Sequence, residues 1–316
     1  MNAKAAVVLA GGKSIRLFPE TRPKALLTIE NKSLLEATLE RFRGLDCFVV
    51  CNNKIASSIR KYFKDKRQKP PSFLIEPEAR DTAAAVAFAV QNLPKKYDWL
   101  AIASADQWMP QPEKFSFTLK AVLKESQDYP ESIFILGSPA QMKPRATHSQ
   151  FGWLLIDRRE KGNSGKVKRF VEKPTGSLLS RLKKSGALIN CGVFFAYRET
   201  LIEGFKKFFP EGLASKTKYK EISRVAFDRA IIEKHPRVRA LEFLGHWEDM
   251  GTWYDWHRLV GSSPHRQKLS SNCYVRCEPD HEVYLFGISN VVVIQTGRQI
   301  LVTNLAAAKN LKKYLG

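Results

Sequence analysis

Residues 5–24 read AAVVLAGGKSIRLFPETRPK: an unbroken apolar run, two glycines, and then four cations, Lys13, Arg16, Arg22 and Lys24. The run 5–10 is short, β-branched at its centre and without polar alternation, the pattern of a strand buried on both faces. A Gly-Gly turn at its end brings bare backbone N–H groups close to a ligand without Cβ clashes. Cations in the same loop would neutralise phosphate oxygens. Gly-Gly also marks many ordinary turns, so the turn alone leaves both readings open. Gly12-Lys13-Ser14 lacks the lead-in that the Gly-Lys-Ser/Thr phosphate loop of the P-loop proteins requires, and the three-glycine dinucleotide fingerprint is missing too.

Working outward from this strand, the first half of the chain alternates strands with helices. CFVVCN (47–52), FLIEP (73–77) and WLAIASA (99–105) read as further buried strands. Helical patterns lie over 33–42, where Ser33 and Glu36 have capping-box spacing, and at about 54–64, 82–93 and 112–125. This alternation predicts an α/β fold: a Rossmann-like, mainly parallel mixed sheet flanked by helices. Ligands in such sheets gather at the carboxyl ends of strands. Residues 132–174 carry strand patterns suited to the wall and lid of a pocket. NCGVFFAY (190–197) is again a strand, and helices are expected near 199–208 and 222–234. Polar residues around 262–272 mark a boundary. The expected organisation is a domain over 1–262 and a small C-terminal β-rich domain over 263–316, ending in a short helix.

The 316 residues include 52 Lys and Arg against 31 Asp and Glu, a formal net charge of +21. That balance favours anionic partners and says nothing about fold. Its densest run, IRKYFKDKRQK (59–69), reads as a solvated helix face, with only Tyr62 and Phe63 to stack on bases, so nucleic acid is not the expected partner. The five cysteines, 47, 51, 191, 273 and 277, occur in an odd number with no leader pattern before them, which points to a reduced, cytoplasmic protein. The two Cys-x-x-x-Cys spacings fit alternate strand residues better than a zinc site. No apolar stretch is long enough to span a bilayer.

LAGGKSIRLFPETRPKALL resembles the signature of the sugar-nucleotide pyrophosphorylases, a nucleotidyltransferase family whose pattern is Gly-Gly-x-Gly-x-Arg-Leu-x-Pro followed by Pro-Lys. Further segments resemble its mannose-1-phosphate guanylyltransferase branch: IEPEARDTAAAVAFA, ASADQWMP, FVEKP, NCGVFFA, HWEDMGTW and the closing GISNVVVIQTGRQILVTNLAAAKNLKK. The likeness runs in order over nearly the whole chain. It implies in-line attack of mannose-1-phosphate on the α-phosphorus of GTP with Mg²⁺, giving GDP-mannose and pyrophosphate. It places the nucleotide on Leu9, Ala10, Gly11, Gly12, Glu76, Arg80, Asp81 and Thr82. Arg16 would hold the leaving phosphates and Lys24 the α-phosphate. The metal would lie on Asp106 and Asp249. The sugar phosphate would lie on Gly152, Glu172, Lys173 and Asn190, with Lys173 on its phosphate.

Plainer roles stand beside these. Arg16 could serve a surface salt bridge, Glu172–Lys173 an exposed edge pair, and Asp106 a turn cap. Asp249 could cap a helix starting near Thr252, and Asp81 or Thr82 could cap the apolar helix after it. Glu248, beside Asp249, is expected to point away. The sequence also departs from the family: Ser14 stands at the third glycine, Ile15 at a small hydroxyl residue, Asp81 at an Asn and Gln107 at a His. The stretch from Pro19 to Lys24 is about two residues short. Transfer with another base or hexose-1-phosphate, or a non-catalytic relative that binds sugar nucleotides, remain the alternatives. The strand edges of the tail are the candidate for homodimer contacts.

Overall fold

In a computed structural model the chain is described over residues 3–12, 15–142, 145–157, 164–213, 216–260, 267–268 and 270–315. Lys13, Ser14 and the expected domain boundary at 262/263 lie outside the described residues. The chain groups into two compact units. The first comprises Met1–Gly11, Glu36–Ala105 and Met109–Trp247, and the second Gly12–Leu35, Asp106–Trp108 and Glu248–Gly316.

The first unit is built on a nine-stranded sheet. In chain order its strands are β1 (Ala3–Leu9), β2 (Asp46–Cys51), β3 (Ser72–Ile75), β4 (Tyr97–Ser104), β5 (Ile133–Pro139), β6 (Trp153–Asp157), β7 (Ser164–Val171), β8 (Leu188–Tyr197) and β9 (Val238–Glu242). Their spatial order is β3-β2-β1-β4-β8-β5-β9-β7-β6. The first four strands run parallel, with Val7 opposite Phe48 on one side and Ile102 on the other. From β8 onward the sheet is mixed: β8 is antiparallel to β4 and β5, while β9 is parallel to β5. The apolar runs of the sequence are these strands, shifted by one or two residues; β9 went unread.

Helices cover both faces, which explains why the strands are apolar on both sides. On one face α3 (Asp81–Asn92) and α6 (Arg198–Phe208) pack with Ala5 and Val7 of β1. On the other, α4 (Pro112–Asp128) and α5 (Gly176–Lys184) pack with Ala6. Helices α1 (Leu34–Arg41) and α2 (Asn53–Asp65) fall where the periodicity places them. As its composition requires, α3 is buried at every position from Ala83 to Val90. The sequence did not announce α5: of its nine residues only Leu182 is fully buried. The helix expected over 222–234 is instead a short π turn, Asp228–Ile232.

The second unit holds the glycine-loop cations and the tail. Its three-stranded sheet, β10 (Tyr274–Arg276), β11 (Val291–Thr296) and β12 (Gln299–Asn304), pairs β10 with β11 in parallel and β11 with β12 antiparallel. Helix α7 (Trp253–Val260) and a terminal turn, α8 (Lys312–Leu315), complete it. Arg276 lays its guanidinium over the rings of Trp253 and Trp256, 5.9 and 5.1 Å from their centres. Its Nε stands 4.0 Å from the buried carboxylate of Glu20, which also accepts from Arg22 Nε and Nη2 at 2.9 and 2.8 Å. Trp253 Nε1 donates to the Phe18 carbonyl at 2.8 Å. The tail thereby clasps the loop between Phe18 and Arg22.

Candidate active site

In the second unit, sequence and topology bring four predicted residues together. Gln107–Trp108 pairs antiparallel with Glu248–Asp249, with Asp249 opposite Gln107. That ribbon delivers Asp106 and Asp249 to one place although 143 positions separate them in the chain. Pro23, with φ −53°, starts the short turn Lys24–Leu26 and fixes the lysine's backbone. Lys24 Nζ then lies 2.5 Å from Asp106 Oδ2 and 3.6 Å from Asp249 Oδ1. Burial alone would lower the lysine's pKa; Asp106 and then Asp249 overcome this and hold it above the usual value. Arg16 stands close by, its Nη1 3.2 Å from where a side chain on Gly251 would begin.

The decoys resolve in the same unit. Glu248 is buried and turned onto Arg258, whose Nη1 donates to Oε1 at 2.9 Å. The start of α7 is capped by Thr252 and Asp255: the Thr252 N–H and hydroxyl both donate to Asp255 Oδ2, at 2.8 and 2.7 Å. Asp249 is therefore not needed there. Two carboxylates, each partly open to solvent, form a hard-oxygen set of the kind a small divalent cation takes, waters completing its shell. Glu278, Asp280 and His281 also cluster, within 4.8 Å, on the exposed tail surface, with His281 already bonded to Asp280.

The first unit holds two further groups. Leu9 and Ala10 are still engaged in the sheet, the Leu9 carbonyl accepting from Ala105 and the Ala10 N–H donating to Val50. Gly11 is where the backbone comes free. A Cβ on Gly11 would lie 2.6 Å from Glu76 Oε1, so only glycine lets the turn pass this close to the carboxyl. Glu76 follows β3, is buried, and accepts from the Tyr219 hydroxyl at 3.1 Å. Burial pushes its pKa up to about 7, against the pull of that hydrogen bond. Arg80 pairs with Glu78 at 3.0 Å, while its buried Nε has no partner among the described residues.

Of the two residues offered as the cap of α3, Asp81 takes a first-turn N–H with its side chain and Thr82 is used elsewhere. Asp81 sits in the left-handed region at φ 69° and accepts from the adjacent Thr82 N–H at 2.7 Å. The Thr82 hydroxyl instead accepts from Phe227 N–H at 2.8 Å, and Ala83 N–H donates to Val225. The first donors of this helix are thus already engaged.

The other group lies at the ends of β7 and β8. A Cβ on Gly152 would meet Phe170 at 2.6 Å and Glu172 Oε2 at 2.8 Å. Its carbonyl accepts from Asn190 N–H at 2.8 Å. Lys173, at φ 49°, pairs with Glu172 Oε1 at 3.0 Å while most of its side chain stays in solvent. The Asn190 side chain accepts from Gly192 N–H and donates to Asp228 Oδ1, both at 2.7 Å. Tyr219 and Asp228 are the members the sequence did not offer. Their partners lie 143 and 38 residues away, and no local motif surrounds them.

The model of the nucleotidyl transferase family matches residues 5–261. Mannose-1-phosphate guanylyltransferase RfbM of Salmonella typhimurium is 25% identical over 346 residues, spanning 97% of this chain and 71% of its own length. The Escherichia coli mannose-1-phosphate guanylyltransferase is 24% identical, spanning 97% and 72%. A solved Thermus thermophilus structure, described as a mannose-1-phosphate geranyltransferase, has a TM-score of 0.83 and 26% identity, covering 100% of this chain and 98% of its own. A Helicobacter pylori mannose-6-phosphate isomerase shares the fold, with a TM-score of 0.63 over 78% of this chain and 100% of its own, at 20% identity.

Proposed function

Because this chain belongs to the nucleotidyl transferase family, we propose that it joins GTP and mannose-1-phosphate into GDP-mannose with release of pyrophosphate. A sugar-phosphate oxygen attacks the α-phosphorus in line. The bond from that phosphorus to the bridging oxygen breaks, and pyrophosphate leaves with that oxygen. No covalent enzyme intermediate is needed, so the protein's work is positioning and charge stabilisation.

The meeting of Lys24 with Asp106 and Asp249, Arg16 alongside, carries this reading. Arg16 takes the leaving phosphates and Lys24 the α-phosphate, exchanging its carboxylate partners for phosphate oxygens. Asp106 and Asp249 would hold Mg²⁺, which when bound supplies a positive charge that offsets the charge of the phosphates. Lys173, exposed and already ion-paired with Glu172, takes the sugar phosphate. Glu76 supplies the buried acceptor that the adjacent N1–H and N2–H donors of guanine need, and Gly11 allows the close approach.

A pyrophosphate-release screen of the common nucleoside triphosphates against several hexose-1-phosphates tests the reading. GTP with mannose-1-phosphate should give the highest kcat/KM. Asp106→Asn and Asp249→Asn should each lower Mg²⁺-dependent release at least about a hundredfold with the fold retained. Full rate in both variants would remove the metal assignment. Faster turnover of another pair would replace the substrates, and sugar-nucleotide binding without turnover by the wild type would make the chain a non-catalytic relative.

A further inference from the structure

We propose that Asp228 is a hexose-binding residue, accepting a ring hydroxyl of the sugar phosphate beside Glu172 and holding Asn190 in place; this rests on the sugar-phosphate reading of the Glu172–Lys173 group. Asp228 opens the π turn Asp228–Ile232, where the backbone departs from α-helical spacing in a stretch whose sequence reads as ordinary helix. Such turns are rare and recur at functional sites because they re-aim a side chain. Here Oδ1 accepts from Asn190 Nδ2 at 2.7 Å, the carboxyl also receives its own backbone N–H, and Asn190 is its one side-chain donor among the described residues.

The surroundings define what could bind. Part of Asp228 remains open to solvent, yet protein encloses its carboxyl closely enough to raise its pKa to about 6. Burial is the chief cause and the neighbouring Glu172 carboxylate the next, opposed by its own backbone N–H and then by Asn190 and Lys173. Gly152 and Asn190 link the two carboxylates: a Cβ on Gly152 would meet Glu172 Oε2 at 2.8 Å, its carbonyl accepts from Asn190 N–H, and the Asn190 side chain holds Asp228. The Lys173 ammonium is paired with Glu172, 3.0 Å away. Once a phosphate claims Lys173, both carboxylates are acceptors short of donors. Neutral hydroxyls on adjacent carbons of a hexose supply such donors, and an acceptor pair left unmatched is costly. Asn190 cannot turn to serve them freely, because its amide is held at both ends by Gly192 and Asp228. It is a positioning residue, and Asp228 sets its orientation.

Asp228→Asn keeps the shape and removes the charged acceptor. Wild type and variant are compared by calorimetric binding of mannose-1-phosphate alone and by steady-state kinetics with GTP. The variant should bind mannose-1-phosphate about tenfold or more weakly, with KM for GTP within about twofold of wild type. A set of monodeoxy mannose-1-phosphates gives the second measurement, on the wild type itself. At least two analogues should bind about tenfold more weakly than the parent, and Asp228→Asn should erase the penalty for one of them while Glu172→Gln erases another. Unchanged sugar-phosphate affinity in Asp228→Asn overturns the inference. So does a wild type that binds no hexose-1-phosphate, or that shows no deoxy penalty should the variant fail to fold. The guanylyltransferase reading falls separately: a wild type that binds mannose-1-phosphate through Asp228 but releases no pyrophosphate loses the activity and keeps this residue's role.

Discussion

In the proposed reading, the buried Glu76 would tie substrate choice to pH. Its carboxyl titrates at about 7 in the folded protein, raised by burial, against an ordinary 4.5. The native state therefore binds more protons than the unfolded chain between these values. Stability contributed by the protonated form is complete below about 4.5 and is lost as the pH rises through about 7, by about 3 kcal/mol in all. Glu76→Gln removes this dependence, so denaturant unfolding from pH 4.5 to 7 should show wild type losing stability relative to the variant. Ligand binding should run the opposite way. A base that donates two N–H groups needs the ionised carboxylate, so GTP affinity should increase through pH 7 in wild type and stay flat in Glu76→Gln. A parallel pH profile for both proteins would remove Glu76 from base recognition.

At the scale of elements, the start of α7 sets where Asp249 can act. Thr252 and Asp255 bond reciprocally, Asp255 N–H returning to the Thr252 hydroxyl at 3.4 Å, which leaves the upstream aspartate to face Lys24. Burial, and after it the Asp249 charge, push Asp255 up to about 6. Thr252→Ala should cost about 1 kcal/mol of stability, read as a lower unfolding midpoint, and should reduce turnover more than it changes KM for GTP. Strand ends and the buried helix α3 were legible in the sequence because apolar runs report burial directly. The carboxylates 106 and 249 were legible through the resemblance alone; it is the two-residue ribbon between Gln107 and Asp249 that joins them, and ribbons so short leave no periodicity. The π turn at Asp228 was illegible for the opposite reason, since FDRAIIEK has an ordinary helical pattern and its side-chain partner Asn190 lies 38 residues upstream.

Across the whole molecule, the formal charge of +21 acts on every anionic substrate at once. Raising the salt from about 10 mM to about 150 mM shortens the screening length from about 30 Å to about 8 Å. kcat/KM for the triphosphate should fall over that range while kcat changes little; an unchanged ratio would make the excess charge irrelevant to encounter. Cys47 and Cys51, raised to about 11 and about 12 by burial, stay thiols at neutral pH. The family pattern stops at residue 261, yet Arg276, Tyr274 and the strands after them belong to the unit that carries Lys24, Asp106 and Asp249. Trimming the gene to the matched residues 5–261 would strip Arg276 from both indole faces and leave Glu20 to one guanidinium, unmooring the very loop the trimmed enzyme would need.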